Sequence, residues 1–388
     1  MDLVGGRVRR AAAAALLVLT LGGCATFPEQ GPREWREQLE GAGELGGPPV
    51  VPEDTPPPQT PQPPGPEGQG GPQQVPSGCQ DPDPQVIATC LEPVGAIAVL
   101  PDAASALVGE RQTGRVLRVE QGSEPQLVAT VPVDAAGGGG LSGLVLSPSY
   151  IEDQLVYAYI TTPQDNRVVR LAAGEPPKPV LTGIPRGPVN NGGALAVDED
   201  GSLLVATGNA GQATPPPDSL AGKLLRIDLQ GRPAKGNLDP LSPTMSSGLQ
   251  SPGGICVDPR RGTAWVTDRR AGEDALHLIV PGPLPSPAWR WPDRPGVAGC
   301  TAQDGAVAVA QMRPESLFVI RSDAKNLFVG APETLLQETY GRLSAATLAP
   351  DGLVWLGTVN KAGGGQPVSS DDRVIRIQPL AAGGDHRQ

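Results

Sequence analysis

Two histidines, His277 and His386, are the only imidazole side chains in this 388-residue sequence. His277 alternates with Ala275 and Ile279 in a strand-like run, whereas His386 lies in a polar, glycine-rich tail. A Ser-His-Asp hydrolase needs an imidazole between a nucleophile and a carboxylate, and such a triad is hard to build from these two positions. The sequence also has no Walker loop and no multi-histidine metal motif. We therefore predict neither hydrolase nor nucleotide chemistry, and metal binding stays unassigned.

The N-terminus carries an export signal. Arg7, Arg9 and Arg10 precede an apolar run over residues 11–21, which is too short to span a bilayer. The following Leu21-Gly22-Gly23-Cys24 resembles a bacterial lipobox, in which the peptide is cut before the cysteine and that cysteine is acylated. The resemblance implies a lipid anchor on Cys24 at the extracytoplasmic face of the cell membrane. An ordinary signal peptide with an incidental cysteine is the alternative.

Four further cysteines, Cys79, Cys90, Cys256 and Cys300, remain after that cleavage. An even number of cysteines in an exported chain indicates two disulfides. Of the three possible pairings we favour Cys79–Cys90, which closes a short local loop, and this leaves Cys256–Cys300. No Cys-x-x-Cys spacing is present, which argues against a zinc site.

Composition separates a polar linker from the rest of the chain. Residues 25–78 hold fourteen of the 46 prolines and have almost no aliphatic periodicity, so they cannot bury enough apolar surface to fold. The formal net charge is −11 and basic residues do not cluster, which argues against nucleic acid as a partner. We predict a signal peptide over 1–23, the lipidated Cys24 with a disordered linker over 24–78, and a disordered tail over 383–388.

From Cys79 onward one pattern repeats: an alternating apolar stretch, a turn and a second apolar stretch. The copies begin near residues 96, 144, 195, 255, 306 and 346, a mean step of 50 residues. A step of this size is typical of a four-stranded propeller blade, and Asp-Gly turns between apolar runs indicate hairpins. We therefore predict an all-β fold, a six-bladed β-propeller over 79–382. Two packed β-sandwiches are the alternative, but they do not explain the period.

Several segments resemble, in order, the glucose/sorbosone dehydrogenase family of quinoprotein sugar dehydrogenases. These segments lie at 140–150, 166–170, 191–211, 222–228 and 252–259, and the resemblance covers roughly residues 92–380. It implies a six-bladed propeller that oxidises a sugar or polyol with pyrroloquinoline quinone (PQQ) and calcium as cofactors. The lipobox, the linker and the Trp291–Cys300 segment are also similar to mycobacterial lipoproteins of the LppZ group.

The departures from the family pattern fall on its reactive positions. Asn190 occupies the position of the family's histidine base, and a carboxamide cannot accept a proton near neutral pH as an imidazole can. Gln250 and Ser251 occupy the positions of an Arg-Asn pair expected at the quinone, and Arg342 is the one basic residue left of two in the last blade. We therefore assign no catalytic residue. Asp304, next to Gln303, is the fallback base.

These departures favour a propeller that binds a ligand or partner without catalysis. The ligand-binding candidates are neutral hydrogen-bonding residues with one cation, suited to a polyol or small anion: Asn190, Asn191, Asn209, Gln250, Ser251, Gln303 and Arg342. The partners we expect are the membrane, through the anchor, and a small polar ligand or an envelope protein. The alternatives are an oxidoreductase that uses PQQ and calcium, and a purely structural envelope scaffold.

Overall fold

The computed structural model describes residue 79, residues 81–364, residues 367–378 and residue 380. These residues form six sheets that surround a central channel, five of them with four strands and one with five. The predicted all-β, six-bladed propeller is therefore confirmed. The signal peptide, Cys24, the linker and the tail lie outside the described residues, so their assignments stay predictions.

Most inner and middle strands are buried along nearly their whole length, the outermost strands are the more exposed ones, and many strands end at Gly- and Asp-containing turns. In chain order they are β1 (Val86–Ala88), β2 (Val94–Val99), β3 (Ser105–Glu110), β4 (Arg115–Glu120), β5 (Gln126–Thr130), β6 (Leu141–Leu146), β7 (Val156–Thr161), β8 (Asn166–Leu171), β9 (Lys178–Ile184), β10 (Gly193–Val197), β11 (Leu203–Thr207), β12 (Lys223–Ile227), β13 (Thr244–Ser247), β14 (Pro252–Asp258), β15 (Thr263–Arg269), β16 (Asp274–Leu278), β17 (Gly282–Pro283), β18 (Trp289–Trp291), β19 (Val297–Gln303), β20 (Ala306–Gln311), β21 (Ser316–Ser322), β22 (Phe328–Leu335), β23 (Leu343–Leu348), β24 (Val354–Thr358) and β25 (Val374–Ile377). The helices are one α-helical turn, α1 (Tyr150–Asp153), and 3₁₀ turns at Ala136–Gly138 and Asn360–Ala362.

The ring is closed by a strand from the beginning of the described chain. β1 pairs antiparallel with β25, so the last blade combines β23, β24 and β25 with this early strand. A disulfide between Cys79 and Cys90 brackets β1. This pairing completes the last blade as a four-stranded sheet, with β1 as its outermost strand.

The innermost strands β2, β6, β10, β14, β19 and β23 all run in the same sense around the channel. We call the end at which they begin the entry end, and the end at which each turns into its second strand the hairpin end. The hydrophobic core is divided into six clusters, each lying between two neighbouring blades. The cluster between the fourth and fifth blades is aromatic, with Trp265 stacked on Phe328 at 4.9 Å between ring centroids.

A second disulfide, Cys256–Cys300, joins the inner strands of those same two blades, with 5.3 Å between the Cα atoms. Both disulfides are the pairings that the sequence analysis favoured.

No helix in the described part of the chain is long and apolar enough to cross a membrane.

Two details differ from the repeat pattern. The apolar runs that mark the fifth repeat in the sequence, Val307–Val309 and Leu317–Ile320, are the second and third strands of that blade. Its inner strand is β19, whose sequence is rich in small residues and lacks the aliphatic alternation that marks the other copies. The third blade also has a fifth strand, because β17 pairs in parallel with β13.

Candidate functional site

The channel has a volume of roughly 630 Å³ and is lined by the six inner strands. Each inner strand has a sheet neighbour on one side only, so its other backbone edge faces the channel. Glycines near the entry end let adjacent inner strands approach: a Cβ at Gly253 would lie 2.7 Å from the Cα of Ala298, and one at Gly299 would lie 2.5 Å from the backbone nitrogen of Ala346. The larger side chains around the axis therefore lie in the loops at the two ends.

Asn190 lies at the entry end, just before the inner strand of the third blade. Its backbone has φ of 58°, in the left-handed region, which Asn tolerates better than most residues. Its side-chain Nδ2 donates a hydrogen bond of 2.9 Å to Oδ1 of Asn209, which also accepts one from the amide of Gly211. Asn190 is half-buried. The position of the family's base therefore holds an amide that is engaged by a second amide and has no proton-accepting nitrogen.

Asn191 is fully buried and its side chain serves the fold. Its Nδ2 donates to the carbonyl of Gly187 at 2.7 Å and, at 3.3 Å each, to those of Ala136 and Gly137. Its Oδ1 accepts from the amide of Gly187 at 2.8 Å. These contacts use the amide completely, so Asn191 holds two loops together and is not free to contact a ligand.

Gln250 and Ser251 also lie at the entry end, before β14. Their amides donate to the buried carboxylate of Asp268 at 3.0 Å and 2.7 Å. Burial raises the pKa of Asp268 to about 6, against the opposing effect of these two hydrogen bonds and of the neighbouring arginines. Although Asp268 is the carboxyl group nearest to these two candidates, it is fully buried and cannot reach a ligand.

Arg269 follows Asp268 and places a guanidinium at the entry end that the sequence analysis did not identify. Its Nη2 donates to Ser251 Oγ at 3.1 Å, and its Nη1 lies 3.5 Å from the carbonyl of Val297. A guanidinium therefore lies next to a position where the sequence alone showed only the loss of an arginine. The signal was available, because Arg269 ends an apolar strand at the same end of the blade as Ser251.

Arg111 is the second residue that sequence reasoning missed. It follows β3 of the first blade, and its guanidinium donates to the carbonyls of Gly138 and Gly139 in the loop before β6. It also approaches the third blade, because a Cβ at Gly192 would lie 3.3 Å from its Nη2. Burial lowers the pKa of Arg111 to about 10, with a smaller contribution from the positive charge of Arg269.

Arg342 also lies at the entry end and precedes β23. It donates to the carbonyl of Gly363 and lies 4.0 Å from the sulfur of Met312. Its backbone amide donates to Asn360 Oδ1 at 2.7 Å. We call Arg111, Arg269 and Arg342 the arginine cluster. In the described part of the chain none of the three forms an ion pair with a carboxylate within 4.0 Å, although Asp268 and Asp274 favour the charged form of Arg269.

Gln303 and Asp304 lie at the opposite end of the channel from the other candidates. Gln303 ends β19, and Asp304 forms the hairpin that follows and pairs with Arg260 at 3.2 Å. The structure thus places Asn190, Asn209, Gln250, Ser251 and Arg342 at the entry end, with hydrogen bonds linking Asn190, Asn209 and Gln250, and places Gln303 at the other end. Asp304 cannot act as a base for a ligand bound beside Asn190, because the inner strand β19 lies between the two ends.

The described residues contain no group of three or more His, Cys, Asp or Glu side chains that could hold a metal ion. His277 is buried on β16, where its Nδ1 lies 3.2 Å from the carbonyl of Pro285 and burial lowers its pKa. It is therefore a structural histidine, and it lies on a strand as the sequence pattern predicted.

Comparison with known proteins identifies relatives of this propeller. The family model for glucose/sorbosone dehydrogenase matches residues 91–292. The PQQ-bound form of an aldose sugar dehydrogenase from Streptomyces coelicolor is 32% identical, with a TM-score of 0.70, over 76% of this chain and 96% of that one. A putative oxidoreductase (glucose dehydrogenase) from Thermus thermophilus is 31% identical, with a TM-score of 0.69, over 75% of this chain and 98% of that one.

A soluble aldose sugar dehydrogenase from Escherichia coli, in its apo form, shares the fold at 19% identity and a TM-score of 0.64, over 75% of this chain and 98% of that one. Comparison with curated proteins gives no match. The family model covers more than half of the chain, and the first two structures exceed 30% identity over three quarters of it. The chain therefore belongs to the glucose/sorbosone dehydrogenase family.

Proposed function

We propose that this protein is a lipid-anchored, extracytoplasmic propeller that binds a small polar ligand at its entry end and does not oxidise it. The observation that carries the proposal is Asn190, whose amide is engaged by Asn209 in the place of a proton acceptor. Removal of a hydride from a sugar carbon requires that the hydroxyl proton leave as well, and a carboxamide cannot take it. Asp268 is buried and Asp304 lies at the other end, so neither substitutes for the missing base.

The neutral amides and the arginine cluster support binding at this end. Asn190 and Gln250 are each partly accessible, and carboxamides can both donate to and accept from hydroxyl groups. Asn209 is buried behind Asn190. The lipobox at Cys24 and the polar linker support a tethered protein of the cell envelope, related in organisation to the LppZ-like lipoproteins. An envelope protein as the bound partner is the alternative to a small ligand.

A second candidate function is oxidation of a sugar with PQQ, by analogy with the PQQ-bound aldose sugar dehydrogenase of Streptomyces. The arginine cluster favours this alternative, because guanidiniums pair well with carboxylates such as those of the quinone. Arg111, Arg269 and Arg342 would hold it, and the quinone when bound would supply the hydride acceptor. Among the described residues next to these guanidiniums, neither the amide of Asn190 nor the buried carboxyl group of Asp268 is an accessible base.

The decisive assay is dye reduction by the full-length protein in detergent with PQQ, calcium and a panel of aldoses. We expect no turnover above background, since loss of a general base typically costs about 10²–10⁴ in rate. A dehydrogenase of the family assayed in parallel shows that the conditions are adequate. The Asn190→His variant places an imidazole at this position and so tests whether the missing base is the cause. Asn190→Gly, which removes the amide without supplying a base, is the matched control. Turnover by the unmodified protein would contradict the proposal and leave the dehydrogenase alternative standing.

The anchor is tested separately by the Cys24→Ala variant. We expect it to lose acylation and to leave the membrane fraction or stay uncleaved, as mass spectrometry of the N-terminus and fractionation would show. A mature native N-terminus beyond residue 24 without a lipid would contradict the anchor.

A further inference from the structure

A second cavity opens at the hairpin end of the propeller, between the third and fourth blades. Its volume of roughly 640 Å³ is similar to that of the channel and falls within the size range of small-molecule sites. The hairpin turns after β10 and after β14 both contribute to its lining, as does Asn326 from the turn between β21 and β22. We call this cavity the hairpin-end cleft. It shares no residue with the entry-end site described above.

Most of the hairpin-end cleft is lined by aliphatic side chains. Six of them lie between the two blades and are nevertheless only half-buried: Val197, Met245, Val257, Leu278, Ile279 and Val280. They therefore keep apolar surface open to the cleft. A ligand with an apolar body would remove this surface from water, which is favourable in proportion to the area covered.

Leu238 adds a more exposed apolar surface to the same cleft, with 77% of the residue accessible. It lies in the loop between β12 and β13, which is fixed on both sides of this leucine. Asn237 Nδ2 donates to the carbonyls of Arg226 and Ser242 at 2.9 Å and 3.0 Å, and Arg226 Nη1 donates to the carbonyl of Lys235 at 2.8 Å. The loop therefore holds Leu238 beside the cleft.

Four carboxylates line the cleft, and three of them have partners within the protein. Asp198 and Asp200 bind the guanidinium of Arg226 at 2.6 Å and 2.7 Å. Asp258 is buried and accepts a backbone amide of the turn between β19 and β20 at 2.7 Å. Glu199 is the fourth, and its carboxylate has no ion pair or hydrogen bond with any described residue.

Glu199 lies across the boundary between the two blades. It belongs to the hairpin turn of the third blade, yet a Cβ at Gly262 in the turn of the fourth blade would lie 3.1 Å from its Oε2. Lys235 also lines the cleft, but the four carboxylates against Arg226 and Lys235 leave a net charge of −2. The potential over the cleft therefore favours a cation.

We propose that the hairpin-end cleft is a second binding site, which takes a small aliphatic ammonium compound. The apolar body of the ligand packs on the half-buried aliphatic side chains and Leu238, and its ammonium group pairs with Glu199. An anion of the same shape is repelled by Glu199, and a neutral one covers that carboxylate without giving it a partner. This site goes beyond the proposed function at the entry end and does not depend on it.

The test is a ligand-observed NMR titration of the full-length protein in deuterated detergent at low ionic strength. Cyclohexylammonium has both the apolar body and the charge. Cyclohexanol has the body without charge, cyclohexanecarboxylate has the opposite charge, and methylammonium has the charge without the body. We expect cyclohexylammonium to bind at least about threefold more tightly than each of the other three, and added salt to weaken it but not cyclohexanol.

Two variants test the residues that make the site, and both change exposed positions that the fold does not need. Glu199→Gln should weaken cyclohexylammonium by about twofold to fivefold, the range for an ion pair with an exposed carboxylate. Its control is Glu124→Gln, which removes an exposed carboxylate from the turn between β4 and β5, outside the cleft.

Leu238→Ala should weaken cyclohexylammonium and cyclohexanol alike, by about twofold to fivefold, because it removes apolar contact and leaves the charge. Its control is Leu241→Ala in the same loop, since Leu241 is 91% exposed and does not line the cleft. Both control variants should change affinity by less than about 1.5-fold, because neither side chain meets the ligand.

The possible results are distinct. Equal affinity for cyclohexylammonium and cyclohexanol overturns the role of Glu199, and equal affinity for cyclohexylammonium and methylammonium overturns the apolar part of the site. Unchanged affinity in both Glu199→Gln and Leu238→Ala places any binding elsewhere and overturns the proposal, as does absence of binding by every probe. None of these results bears on the entry end, where the dye-reduction assay decides.

Discussion

Two adjacent asparagines at the entry end should respond very differently to loss of the side chain. Asn191 makes two well-formed hydrogen bonds with Gly187, at 2.7 Å and 2.8 Å, and two longer ones at 3.3 Å. Each good bond contributes about 1 kcal/mol net, and a backbone group left unpaired inside the protein costs about 1–3 kcal/mol more. Asn191→Ala should therefore lower the free energy of unfolding by about 3–4 kcal/mol.

Asn190→Gly is the comparison. It removes one half-buried hydrogen bond to Asn209, but glycine adopts the φ of 58° at this position without strain. We expect a change in the free energy of unfolding of less than about 1 kcal/mol. Urea unfolding of both variants, monitored by tryptophan fluorescence, measures the difference in the free energy of unfolding. An unchanged m-value shows that the variants differ in stability alone. Equal stability of the two variants, or a larger loss for Asn190→Gly, would refute the division between a structural and an available amide.

Three further predictions concern stability. The free energy of unfolding should fall by about 4 kcal/mol in the Cys256→Ala/Cys300→Ala double variant and by about 3 kcal/mol in Cys79→Ala/Cys90→Ala, because Cys256–Cys300 closes a loop of 44 residues and Cys79–Cys90 one of 11. Denaturant unfolding measures both losses, and the reverse order would contradict the loop-entropy argument. Burial opposes ionisation of Glu110, but hydrogen bonds from Arg115, Thr113 and the amide of Glu92 outweigh it and hold its pKa below 4.5. Its contribution to stability is therefore present above pH 4.5 and lost as the pH falls through the lowered pKa, so Glu110→Gln should flatten the acid limb of the stability profile; an unchanged limb would count against this. Trp265→Ala should cost about 3–5 kcal/mol, since the ring is fully buried and stacks on Phe328; a loss below about 1 kcal/mol in thermal or urea unfolding would show that the aromatic cluster does not carry the blade interface.

The fold was accessible from the sequence because each blade repeats the same local signals. Residues 198–201, for example, form the hairpin turn between β10 and β11. The turn residues and the apolar pattern of the two strands can both be recognised within a short stretch of sequence. β19 was missed for the complementary reason: a strand of small residues is recognisable only by the blades that pack against it. β17 was missed because it is two residues long and is defined by its pairing with β13 alone.

The candidate site was only partly accessible. Asn190, Asn209, Gln250, Ser251 and Arg342 were found by their position in family motifs, and they do share one end of the channel. Arg111 and Arg269 were missed because their relevance depends on contacts across blades. Gln303 was grouped with the other candidates although it lies at the hairpin end, because it ends an inner strand. The sequence alone does not show at which end of the channel a residue next to a strand lies. Arg269, which places a guanidinium beside Ser251, lies 18 residues after it in the chain.

The Cys79–Cys90 disulfide has a mechanical consequence for the closed ring. Any pull on the chain that precedes Cys79 passes through the disulfide to Cys90 and bypasses β1, the strand that closes the last blade. Cys90 and Leu91 are held to that blade by backbone hydrogen bonds to Ser370 and Asp372, at 3.2 Å and 3.0 Å, so the load spreads into the sheet. With the disulfide reduced, the same tension would act along residues 81–88 and peel β1 from β25 one hydrogen bond at a time. The disulfide thus carries tension from the preceding chain past β1, so that such tension does not unzip the blade that β1 completes.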